Sequence, residues 1–312
     1  MKPIKTTFPV LPTLLPGLVG LCAFLAMNQQ IVRAEDIQTF AVGHSPGNMA
    51  FDGANIWVTN SGDDTVTKLR ASDGSLQGTF STGNSPQYAV FDGANVWISN
   101  TLGDSVTKLR ASDGNLVDTV ESIDQPEALV FDGASIWVAN FHDTVTKLRA
   151  SDGTVEGVFP TGEGPRGIAF DGVNIWVGNE NDDSVTKLQA SDGTILGTVK
   201  VGNNPWALVA VGANIWVTNE GNDTISVLRA HGGSRQKFHV GSHPVGITFD
   251  GASIWVTNSI DDTVQKLRVR DGKIQRTLTV GNGPTGVISD DSNIWVANHD
   301  DDTVNKITPM SR

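Results

Sequence analysis

Hydrophobic positions along this chain come in short bursts divided by polar turns rich in Gly, Asp and Asn, and the arrangement returns about every 40 residues. Short bursts bounded by turn chemistry predict β-strands. In the first repeat the Ala-Phe run ending at Asp52-Gly53 predicts an innermost strand. Asn55 to Thr59 predicts a second, Thr65 to Arg70 a third, and Leu76 to Ser81 an outer one. Asp-Gly supplies the positive φ that tight hairpins need, and its return at 73–74, 113–114, 152–153, 192–193 and 271–272 sets the register. The third strand does not alternate, since Val66 and Leu69 are three apart. That is the pattern of a sheet covered on both faces.

The period is marked by tryptophan. Trp57, Trp97, Trp137, Trp176, Trp216, Trp255 and Trp295 each sit in an Ile/Val-Trp-Val/Ile triplet, at spacings of 40, 40, 39, 40, 39 and 40 residues. This is the length of one four-stranded propeller blade. Residues 35–312 therefore predict an all-β fold, a seven-bladed β-propeller of four-stranded antiparallel blades. The tryptophans are expected between blades, with each indole N–H on a backbone carbonyl at the seam. The last repeat stops after its third strand, Asn305-Lys306-Ile307, while Ile37 to Gly43 matches the outer-strand segment Gly78 to Gly83. The N-terminal strand is thus expected to complete the last blade and leave no open edge.

Residues 1–34 lie outside the repeat. Lys2 and Lys5 precede an apolar stretch from Leu11 to Met27, and Val32-Arg33-Ala34 offers small residues for cleavage. This reads as a secretory signal peptide, with a retained anchor as the alternative, and predicts a secreted or periplasmic protein. Cys22, the only cysteine, falls within it, so the mature chain has no thiol for disulfides, metal or nucleophilic catalysis. Without this segment 19 basic residues face 34 acidic ones. Such a surface repels nucleic acid and anionic membranes. A monomer is expected, with a small molecule, peptide or protein as partner.

The run W-V-T-N-x-x-x-D-T-V, with F-D-G and G-x-x-P, resembles the YVTN/NHL class of bacterial propeller repeats, the broad group of the virginiamycin B lyase-like and YncE-like proteins. The resemblance covers the repeat region and serves enzymes and passive binders alike. It implies a site on the face formed by the G-x-x-P and T-N-x-x-D-D loops. For a lyase of this type it also implies a histidine after the repeated proline, an E-x-H pair and Mg²⁺. Neither residue pattern is present in this chain.

Two sets of residues on that face carry candidate chemistry. The constant set is Asn60 and Asp64 with their counterparts in every copy, joined by extra carboxylates such as Asp63, Asp182 and Asp261. They read either as turn caps or as an acidic crown for Ca²⁺, and Asp300, Asp301 and Asp302 are the best single metal candidate. No cofactor is required; Ca²⁺ or Mg²⁺ is the only one the carboxylates suggest. The variable set follows the repeated proline: Gly47, Gln87, Glu127, Arg166, Trp206, Val245 and Thr285. This position takes every chemical character while its flanks hardly change, which predicts a ligand mouth of Gln87, Tyr88, Glu127, Arg166 and Trp206, faced by Phe141. Among histidines, His142 with Glu180 one blade on is a candidate acid–base pair, and Glu220 and His299 are further candidates. There is no G-x-S-x-G, no P-loop and no zinc spacing. The expected function is non-catalytic binding at the channel mouth, with a lyase or hydrolase as the alternative.

Overall fold

A computed structural model of the protein describes residues 36–230 and 236–309. The signal segment read from residues 1–34 and His231 lie outside them. Seven four-stranded antiparallel sheets follow one another around a central channel, six of them with their strands in simple sequence order. In blade 1 these are Pro46–Phe51, Asn55–Asn60, Thr65–Arg70 and Leu76–Ser81, running from the channel outward. Blade 7 takes three strands from the C-terminal end and its outermost from the other: Asp36–Ala41 pairs antiparallel with Thr303–Thr308, Phe40 opposite Val304. The expected architecture and its closure are both present.

The core is divided among seven seams, each holding one of the repeated tryptophans. Trp57 and Val66 pack against Ala89, Val96, Ile98 and Leu109 of blade 2. Leu69, Ile56 and Val58 turn the other way, onto Trp295 and Val304 of blade 7. Adjacent blades cover both faces of the third strand, which is why it carries no polar face.

The indole N–H groups go elsewhere than expected. Trp57 Nε1 donates to Asp52 Oδ2 at 2.8 Å, not to a backbone carbonyl, while Oδ1 of the same carboxylate accepts the N–H groups of Ala54 and Asn55. One aspartate thus caps the first hairpin and fixes the core ring. Burial pushes the Asp52 carboxyl up, but the indole and turn N–H donors outweigh it and hold the group below its ordinary value. Over the ring lies Lys68 Nζ, 4.8 Å from the centroid, which donates to the Ala111 carbonyl of the next blade at 2.6 Å. The Asp–Trp hydrogen bond recurs in six blades.

Blade 5 departs from this rule. Val211 stands where the others have aspartate and Val227 where they have lysine. Trp216 is buried, and its Nε1 has no hydrogen-bond partner. An unmet buried donor costs roughly 1–3 kcal/mol. Val211→Asp is therefore expected to raise the thermal midpoint by about 2–4 °C, the equivalent of ~1 kcal/mol. A midpoint unchanged or lowered in calorimetry would show that the blade-5 turn cannot present the carboxylate.

Candidate functional site

The mouth is shaped by a bulge repeated in every innermost strand. In blade 1 Pro46 pairs with Asn60, yet Met49 pairs with Val58, so one extra residue is accommodated between them. The same shift occurs in the other six blades. A bulge re-aims side chains that strict alternation would send to opposite faces. Here it turns two consecutive residues toward the channel, as with Gln87 and Tyr88. All seven residues after the proline line one cavity of about 80 Å³, with Asn48, Tyr88 and His299 beside them.

Within it the charged groups are arranged around Arg166. Its guanidinium carbon lies 3.8 Å from the centre of the Trp206 ring, and its Nη1 is 3.5 Å from Glu180 Oε2. Glu127, on the preceding blade, is only 8 % exposed. Burial raises the Glu127 carboxyl above its ordinary value, Arg166 opposes this, and Glu180 adds to it. Glu180 is also raised by burial against the pull of Arg166, with Glu220 adding to the rise. Tyr88 is pushed up by burial, against the pull of Arg166 and Asn48. Below lies a second cavity of about 160 Å³ among Leu129, Ile168, Leu208 and Val287, and Tyr88, Asn48 and Gly246 line both. These three residues form the partition between mouth and channel.

A carboxyl whose folded value is raised stabilises the fold below its unfolded pKa, and that contribution is lost as pH rises through the folded value. Glu127→Gln is accordingly expected to raise the thermal midpoint at neutral pH and to leave it unchanged near pH 4, where the parent is already protonated. Equal midpoints at neutral pH would contradict this account of Glu127.

Several sequence candidates are placed elsewhere. His142 does not meet Glu180: its Nδ1 lies 2.9 Å from Asp124 Oδ1, and Glu180 is held by Arg166. The His142 side chain is 57% exposed, whereas that of Glu180 is 17% exposed and turned to Arg166. Phe141 stacks edge-on against His142, with centroids 6.1 Å apart, and does not line the cavity. Glu220 pairs with His243 at 3.1 Å. His299 does reach the cavity, with its Nδ1 on Asp300 Oδ1 at 2.9 Å.

The acidic crown is a set of caps, though not of each loop's own backbone. Asp64 Oδ1 accepts the N–H of Ser85 in the next blade, and the other six copies make the same link. All seven aspartates hold φ between 46° and 59°, a left-handed conformation that Asp tolerates better than most side chains. The constant asparagines are buried, Asn60 Nδ2 donating to Thr65 and Thr67. Asp300, Asp301 and Asp302 serve His299, the Asn282 N–H and the Ser45 N–H respectively. Their carboxylates diverge, and among the described residues no three His, Cys, Asp or Glu converge as metal ligands. The geometry does not fit Ca²⁺ or Mg²⁺ at the triple. The bulge partner Asn48 and the Glu220–His243 pair were not anticipated; the only prior signal was the variability of the surrounding loops.

The fold is shared with solved structures. Streptogramin B lyase superposes with a TM-score of 0.77 at 16% identity, covering 88% of this chain and 97% of that one. Hydrazine synthase from Kuenenia stuttgartiensis gives 0.75 at 17%, covering 86% and 96%. No protein-family model and no curated protein matches the sequence. At such identities the likeness establishes the propeller and says nothing of its chemistry.

Proposed function

We propose that this chain is a non-catalytic binding propeller that holds a small molecule or the end of a peptide at its channel mouth. The observation that supports this most is the convergence of all seven copy-specific residues on one cavity. The invariant aspartates of the same face are engaged in backbone caps between blades. The proposal puts the protein outside the cytoplasm, on the strength of its signal-like N-terminal sequence.

The test is thermal unfolding against a panel of amines, carboxylates, sugars, nucleosides and short peptides. At least one class is expected to raise the midpoint; a ligand at a hundred times its Kd adds about 2.7 kcal/mol. The combined variant Glu127→Gln, Arg166→Met, Trp206→Ala should unfold cooperatively and lose that gain. If every stabilising compound acts equally on the variant, the mouth is not the site.

One observation favours a lyase instead. His299 and Glu127 line the same cavity, so an imidazole and a carboxyl, two groups that serve in proton transfer, share one space. The likeness to streptogramin B lyase supplies the assay. Turnover of a streptogramin B that is lost in His299→Ala would replace the binding reading.

A further inference from the structure

We propose that the ligand enters this mouth through a cationic nitrogen, an ammonium or guanidinium head group, with Glu127 as its counter-ion and Tyr88 and Trp206 as aromatic walls. The inference rests on the binding reading above and narrows its chemistry.

Glu127 carries the argument. It is more than nine-tenths buried, it lines the cavity, and no described residue donates a hydrogen bond to its carboxylate. A buried carboxylate without donors is costly. The cost is removed if the donors arrive with the ligand.

The neighbouring charges leave it uncompensated. Among the described residues Arg166 is the only Lys or Arg lining the cavity; its guanidinium lies over Trp206 and its Nη1 faces Glu180. Two carboxylates share one guanidinium, so one negative charge remains. The field outside has the same sign. The loops between strands on this face carry at least one Asp or Glu in every blade and no Lys or Arg. Such a rim attracts cations and discourages anions from approaching Arg166.

Size and surface agree with a head group. A cavity of about 80 Å³ holds on the order of five waters, enough for a substituted ammonium but not for a large molecule. Tyr88 and Trp206 line the cavity, with Arg166 over one face of Trp206, and aromatic rings attract desolvated cations. The rest of the ligand would remain at the rim.

The test uses the protein with butylammonium, choline and an end-blocked tripeptide with a central lysine, against 1-butanol and butyrate at matched ionic strength. Thermal shift and titration calorimetry read the binding. The three cations are expected to bind while butanol and butyrate do not. Glu127→Gln should weaken the cations roughly tenfold or more, as loss of a charge-assisted contact does. Asp73→Asn, on the opposite face, should leave them unchanged. Tighter binding of the tripeptide than of the free amines would identify a lysine side chain as the source of the head group, and the reverse a free amine. The inference is overturned if no cation binds, if butanol matches butylammonium, or if Glu127→Gln binds cations as well as the parent does. Should butyrate or a neutral compound bind in a Trp206-dependent way, the mouth still binds ligand and only the cation claim fails.

Discussion

Trp97→Ala is expected to lower the free energy of unfolding by about 3–5 kcal/mol, the range for emptying a large buried aromatic site. Trp97 is fully buried, in the seam between blades 2 and 3, against Leu129, Ile136 and Leu148. The ring also serves two charged groups. Its Nε1 donates to Asp92 at 2.7 Å, and Lys108 Nζ lies 4.6 Å from its centroid while reaching the carbonyls of Ala150 and Ser151. Truncation therefore opens a cavity and leaves Asp92 without its strongest side-chain donor. Trp97→Phe leaves a smaller cavity and still removes the N–H; the lost hydrogen bond alone should cost about 1–3 kcal/mol. Denaturant unfolding of both variants is the measurement. A loss under 1 kcal/mol for the alanine variant would mean that the seams are not what holds the ring together.

The second large effect is expected at Arg166→Met. The substitution keeps an apolar stem but removes the guanidinium that lies over Trp206, and with it the positive charge beside Glu127 and Glu180. Breaking a fully buried pair costs about 3–5 kcal/mol. Arg166 and Glu180 keep 25% and 17% of their side-chain surface, so solvent screening brings the expectation down to about 1–3 kcal/mol at neutral pH. The sign of the pH dependence follows from the carboxyls. Both are already raised, and without the guanidinium they rise further. The penalty therefore grows as pH increases through their folded values and fades on acidification. Equal losses at neutral pH and near pH 4 would show that Arg166 acts through packing rather than charge.

Most of the architecture was legible in the sequence because each strand is bounded by its own turn residues. Asp-Gly marked the hairpins, the Trp triplet marked the second strands, and Ile37 to Gly43 matched an outer strand closely enough to reveal the closure. The mouth was legible for another reason: seven near-identical copies expose the position that varies, and Gln87, Glu127, Arg166 and Trp206 do meet at one cavity. What failed was geometry within loops. Phe141 and His142 share the face of the mouth, but sequence gives no radial distance, and both sit outside it. The destination of the Trp57 N–H is not legible in sequence, because an Asp-Gly pair reads as a turn while the two oxygens of Asp52 divide between turn and ring. The bulge after Pro86 was hidden for a similar reason, since period-two reading has no place for an added residue.

The hoop of aspartate caps has a consequence for how such a molecule can change. Because the carboxylate at each αL position grips the backbone of its neighbour and no side chain of the mouth, what stands after each proline can change without breaking the hoop of inter-blade caps. Specificity can then be rewritten one sector at a time, which makes this toroid a natural chassis for grafting new recognition surfaces.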